Sequence, residues 1–259
     1  MIIVWTPEYR EWTGGIIVLH LLANYLKELG EDVAFAPRHY DKFWSPYSIP
    51  VKQIADANDI VVYPESAKDN FCKATRIVTY YLGNSKKKEG YSLLYSEKWA
   101  KLCNIKPDDI LYLSDSKHNF FYNMNLKRSG ECFTVRKNRN PRFIHKKGAL
   151  EIKRGVSNEE LRQIFNTHER FICYDTTSFL NTQAAMCGCD SIIAEHPGMS
   201  AQLIGDGYPD GRALGISYGL NNIDKARSEH SLLKDYFIAI ESEQKNNVKR
   251  VFEKIKRAI

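Results

Sequence analysis

FICYDTTSFLNTQAAMCGCDSIIAE, residues Phe171 to Glu195, is the stretch that decides the fold. The apolar run from Phe171 to Tyr174 predicts a strand, and Asp175, Thr176, Thr177 and Ser178 supply a polar turn. Small residues then predict a helix that stops at Gly188, and Ser191 to Ala194 predict a second strand. Strand, turn, helix and strand make half of a Rossmann-like sheet, whose ligands bind beyond the carboxyl ends of the strands. A helix that starts on Thr-Thr-Ser offers unpaired N–H groups and hydroxyls that suit a phosphate. The same residues equally suit an ordinary N-cap on a buried helix.

Working outward, a second such unit opens the chain. Ile2 to Trp5 predict a strand, Gly14-Gly15 a turn, and Val18, Leu19, Leu22, Leu26 and Leu29 recur at helical spacing before Gly30. Glu31 to Ala36 complete a βαβ unit. The glycine pair either makes a tight turn or lets a ligand approach the backbone, and His20 among leucines reads as a satisfied structural histidine. Arg38 to Pro50 predict an aromatic-rich loop, which either packs on itself or lines an acceptor pocket. Ile60 to Tyr63, Arg76 to Gly83 and Asp109 to Asp115 predict further buried strands. Asn84 to Gly90 reads as a solvated basic turn. Asn119 to Gly130 reads as a linker, so the expected domains are 1–125 and 126–245.

In the second half, ECFTVRK predicts a strand from Glu131 running into the basic residues Arg136, Lys137, Arg139 and Arg142. Such a cluster is either a solvated loop or, with Arg in bidentate geometry, a clamp for a diphosphate. Ser157 with Glu160 forms a capping box before the helix ELRQIF. His196 to Ser200 predict a turn, and Gly215 to Asn222 a short strand and loop. Val248, Val251, Phe252, Ile255 and Ile259 line one face of a last helix, 246–259, with Lys249, Arg250, Lys254, Lys256 and Arg257 elsewhere on it. That stripe reads as docking on a core, with a basic membrane-surface helix as the second reading.

Composition narrows the class. At 43% hydrophobic and 26% charged residues the chain is globular, and 37 Lys and Arg against 31 Asp and Glu leave +6. That surplus suits nucleotides, phosphorylated glycans or an anionic membrane face, and is too small to indicate nucleic acid. No apolar run reaches membrane-spanning length and MIIVW lacks a signal peptide's basic start, so a cytoplasmic location, including the inner membrane face, is expected. The six cysteines form no CxxC pair. Cys187 and Cys189 flank Gly188 without a second pair to complete a zinc site, so buried thiols in a reducing compartment are expected.

GGIIVLHLLANYLKELGEDV, from Gly14, combines paired glycines, a helix with a polar His position and an LG-x-x-V ending. Asp175 and Gln183 stand eight positions apart, and QAAMCG, Gln183 to Gly188, ends in glycine. These features resemble GT-B type glycosyltransferases, α/β proteins with two facing Rossmann-like domains and a nucleotide sugar in the cleft. VRK, CYDTTSF, QAAMCGC and GISYGL are similar to a polysaccharide-synthesis subgroup. The chain would be a small member, and its departures are definite. Many retaining members carry two acids at that spacing, whereas Gln183 bonds a hydroxyl without charge.

The resemblance implies transfer of a sugar from a nucleoside-diphosphate sugar to a glycan, lipid-linked glycan or other hydroxyl acceptor. It places Arg136 and Lys137 on the diphosphate, with Tyr174, Thr176, Thr177 and Ser178 beside them. Asp175 falls at the donor sugar as a catalytic residue and Gln183 at the ribose, with Gly14 and Gly15 on the acceptor or diphosphate side. Glu11 is the catalytic base chosen from a set with Glu8, Asp115 and His118. Cations and helix N–H groups stabilise a departing diphosphate without a metal, so no metal or cofactor is expected. The last helix would cross back to the first domain. Alternatives are a same-fold nucleotide-sugar epimerase, for which the second half offers no convincing acid and base set, and a non-catalytic nucleotide-sugar-binding partner of a larger transferase.

Overall fold

A computed structural model describes residues 1–138 and 140–259; Arg139 of the basic cluster lies outside the described residues. The chain divides into two compact units, Met1–Asp115 with Glu241–Ile259, and Ser116–Ile240. Each is built on its own parallel sheet.

The first unit contains β1 (Ile2–Thr6), α1 (Gly14–Glu28), β2 (Val33–Pro37), β3 (Ile60–Pro64), β4 (Arg76–Tyr81), β5 (Tyr91–Leu94), α2 (Glu97–Cys103) and β6 (Asp109–Ile110). Its strand order is β2-β1-β3-β4-β5-β6, with every pair parallel. Every residue of β1, β2 and β3 is buried, which is why these strands appear in the sequence as continuous apolar runs.

Two expectations change here. YSLL pairs as β5 and EKWAKLC forms α2; four residues and two turns are too short for a periodic signal. The strand expected over Asp109 to Asp115 shrinks to the two-residue edge strand β6. Beyond it the chain is captured by a side chain. Gln244, 1% exposed, accepts the Ser114 N–H at 3.2 Å and donates to its carbonyl at 3.0 Å.

The second unit contains β7 (Glu131–Thr134), β8 (Leu150–Glu151), α3 (Asn158–Thr167), β9 (Arg170–Cys173), α4 (Phe179–Met186), β10 (Asp190–Ile193), α5 (Ala201–Gly205), β11 (Ile216–Tyr218) and α6 (Ile223–Ser228). The order is β11-β10-β9-β7-β8, again all parallel. Cys132, Phe171 and Cys173 face a core with Leu161 and Phe165 of α3 and Leu180 and Ala184 of α4. Ile172, Tyr174 and Ile192 face the other side, with Phe133 and with Ile223 of α6. Alternate residues thus serve two layers.

Helix ends follow the capping chemistry. Ser157 and Glu160 close the expected capping box on α3. α4 ends in a Schellman motif: Cys189 N–H reaches the Ala184 carbonyl at 3.0 Å and Gly188 N–H the Ala185 carbonyl at 2.9 Å. Gly188 sits at φ +80°, and a Cβ there would lie 2.8 Å from Asn123 Nδ2, so both conformation and packing require glycine.

The segment read as a linker is part of the second unit. Phe121, 1% exposed, enters its core, and Arg128 ties to Asn123 Oδ1 at 2.8 Å. Its lack of periodicity reflects a path fixed by side chains instead of a regular element. The last helix, α7 (Leu233–Ala258), contributes Leu233 and Phe237 to the second unit's core, and from Glu241 onward belongs to the first unit. Val248, Val251, Phe252 and Ile255 are at most 1% exposed. Lys254 and Arg250 meet Asp109 at 2.8 and 3.6 Å, and Lys256 meets Glu31 at 2.5 Å. The apolar stripe is spent inside the protein, so the membrane-surface reading of this helix fails. Among the described residues no helix is long and apolar enough to cross a membrane.

Candidate functional site

In the second sheet β7 has β8 on one side and β9 on the other. The connection leaving β7 turns toward β8, and the one leaving β9, through α4, turns the opposite way toward β10. The strand order therefore reverses between β7 and β9, and a crevice at such a switch point is where open α/β sheets bind ligands. Arg136 and Lys137 follow β7 there, and Tyr174 to Ser178 follow β9.

Asp175 joins the two loops. Its side chain is buried, and Oδ1 accepts N–H groups from Lys137 at 2.7 Å, Asn138 at 3.2 Å and Arg136 at 3.3 Å, with Oδ2 taking Arg136 N–H at 3.2 Å. Three successive amides around one anion form a nest, and here the anion is the protein's own carboxylate. Asp175 was expected to face the donor sugar. Its oxygens are committed to the loop, because a buried carboxylate must find donors. The adjacent Cys173 thiol is pushed up to about 12 by burial, so it supplies no thiolate at neutral pH.

What the clamp presents is cationic. Arg136 is half-buried, and burial lowers its guanidinium from its ordinary value without discharging it. Its Nη2 reaches the Lys153 carbonyl at 3.5 Å, and its buried Nε makes no hydrogen bond among the described residues. Lys137 is exposed, with Nζ 3.4 Å from the Thr177 carbonyl. Arg154, exposed just beyond β8, donates from Nη2 to the Arg136 carbonyl at 3.0 Å. The sequence did not single out Arg154, because β8 is two exposed residues with no apolar run to mark a strand end.

The start of α4 is capped by its own sequence. Ser178 Oγ accepts Leu180 N–H at 3.3 Å, the ordinary N-cap, and its own hydrogen remains a donor. Thr176 and Thr177 are half-buried beside it. Gln183, 8% exposed in the second turn of α4, makes no side-chain hydrogen bond among the described residues.

Of the remaining expected residues all but His118, which lies in the second unit, belong to the first unit, whose strand order reverses between β1 and β3. Gly14 and Gly15 form the first turn of α1 and are not a tight turn; a Cβ at Gly15 would meet Leu82 at an ordinary 3.5 Å. Glu11 lies exposed in the loop between β1 and α1. Of the other base candidates, Glu8 is paired with Arg10 at 2.6 Å and His118 Nδ1 lies 3.2 Å from Ser116 Oγ. His20 is buried and holds this loop. Its Nε2 donates to the Pro7 carbonyl at 3.0 Å, so Nδ1, 2.9 Å from Ser45 Oγ, is the acceptor. Burial lowers its pKa to about 4. Among the described residues no group of three or more His, Cys, Asp or Glu could hold a metal ion, and the six cysteines are free.

No protein-family model and no curated protein sequence matches the chain. One solved structure similar to it is described as an alpha-glucosyltransferase in complex with UDP and a 13-mer DNA containing an HMU base. The two align over 98% of this chain and 99% of that one, at 11% identity and a TM-score of 0.43. Fold and site together describe an α/β chain of two Rossmann-like units with a cationic switch point in the second.

Proposed function

We propose that the chain binds a nucleoside-diphosphate sugar at the β7/β9 switch point and transfers the sugar to a hydroxyl acceptor, a glycan or lipid-linked glycan. The observation that carries this reading is the Asp175 clamp, which fixes two loops so that Lys137 reaches the Thr177 carbonyl before α4 while Arg154 holds the Arg136 carbonyl. Breaking the glycosidic bond loads negative charge on the departing diphosphate, and fixed cations with helix-start donors stabilise that charge as it develops. Gln183 has an uncommitted amide for a ribose hydroxyl. In this reading Asp175 is a positioning residue.

Screening UDP, GDP, ADP, dTDP and CMP sugars by thermal shift tests the binding step, since a ligand of the native state raises its apparent stability. At least one is expected to raise the unfolding temperature and to yield transferred sugar with an acceptor. No shift with any of them at millimolar concentration rules the reading out. A second reading is a nucleotide-sugar-binding protein without turnover, favoured by the commitment of Asp175 to the loop. Binding with neither transfer nor hydrolysis selects it.

A further inference from the structure

Residues 143–145, between β7 and β8, lie over Phe133 and Tyr174, on the sheet face opposite α4. His145 stacks on Phe133 with centroids 3.9 Å apart and planes at 13°. Phe143 stands edge-on to Tyr174 at 5.2 Å and 80°, and meets His145 at 5.0 Å and 63°. The Tyr174 hydroxyl oxygen accepts N–H groups from Ile144 at 2.8 Å and His145 at 3.2 Å. With both lone pairs taken, its own hydrogen points at His145 Nδ1, 2.9 Å away. The imidazole therefore carries its hydrogen on Nε2, which makes no hydrogen bond among the described residues. Lys146 N–H fastens the next residue to Glu131 Oε2 at 2.7 Å.

Three consecutive residues of this loop are thus tied down, yet the Phe143 ring at its head stays 57% exposed. A large ring held on a fixed backbone is preorganised for stacking, because little freedom is lost when a flat ligand settles on it. Its supports adjoin the cations in sequence: Phe133 is three residues before Arg136, and Tyr174 precedes Asp175.

We infer that Phe143, backed by His145, is the platform on which the base of a nucleoside diphosphate stacks, with His145 Nε2–H offered to an acceptor on the base edge. This assignment rests on the proposed diphosphate site beside it. It makes the ligand a nucleotide instead of a simple phosphate or pyrophosphate.

Calorimetric titration of UDP, GDP, ADP and inorganic pyrophosphate into wild type, F143L, F143W and K137A tests it. For the nucleotide that wild type binds, F143L is expected to lose about fivefold or more in affinity while its pyrophosphate affinity is unchanged. F143W retains nucleotide binding, and K137A weakens both ligands. Nucleotide affinity in F143L equal to wild type overturns the platform and leaves the diphosphate site standing. Wild type that binds neither ligand overturns both. Should F143L unfold at a lower temperature, the pyrophosphate titration decides: nucleotide loss alone supports the platform, and loss of both ligands overturns it.

Discussion

The backbone N–H of Lys137 donates to Oδ1 of Asp175 at 2.7 Å, fastening the loop after β7 to the loop after β9 across the switch point. Asp175→Ala would leave three successive amides in a buried site without their acceptor, a loss of about 2–4 kcal/mol. Urea unfolding should show that loss, together with weakened nucleotide binding. A variant that keeps wild-type stability and loses turnover alone would instead put Asp175 in the chemistry.

This pair also marks what was legible in the sequence. Asp175 stood out as an acid at a strand end, β7 and β9 were placed as short strand-like runs, and α4 was placed by its small residues before Gly188. Its partners could not be read, because backbone amides have no residue identity and lie 37 to 39 positions away in the chain. Arg154 escaped for a related reason, since an edge strand with both residues exposed has no hydrophobic signature.

Gly188 was read as the stop of a helix and as the glycine that ends QAAMCG, and the structure explains it twice over. Gly188→Ala places a Cβ at φ +80°, against Asn123. The left-handed conformation and the displaced Asn123 together should cost about 2 kcal/mol, measurable by chemical denaturation. Its neighbour Arg128 Nη2 also lies within 3.2 Å of that Cβ, so relaxation on the Asn123 side meets a second group.

His20 sets a pH dependence. The unfolded chain takes up its proton near the ordinary value of 6.5, whereas the buried ring resists until about pH 4. Between these values the unfolded state binds more protons, so stability falls as pH drops from 6.5 toward 4, by up to about 3 kcal/mol. Above pH 7 the group contributes no slope. His20→Phe should remove this part of the slope, and the difference between the two stability profiles isolates it.

The last helix separates packing from charge. Phe252 is 1% exposed, and Phe252→Ala should destabilise the first unit by about 3–5 kcal/mol. Lys249 lies exposed, and Lys249→Ala should leave stability within about 0.5 kcal/mol of wild type. Vesicles of anionic lipid should not retain the folded protein through this helix, because the stripe that would insert is already buried.

Lys137 and Arg154 differ in how they are held, and their variants should differ accordingly. Lys137 carries its charge on an exposed stem near the Thr177 carbonyl, while Arg154 spends one N–H on the Arg136 carbonyl and makes no other hydrogen bond among the described residues. Arg154→Lys preserves charge but has no planar fork to bridge a carbonyl and a phosphate together. Lys137→Ala should therefore reduce affinity for nucleoside mono- and diphosphates by removing a point charge, with a shallower salt dependence. Arg154→Lys should reduce diphosphate affinity more than monophosphate affinity, with the salt dependence kept. Isothermal titration at two ionic strengths separates the outcomes; equal losses for both ligands in Arg154→Lys would place Arg154 outside the diphosphate contact.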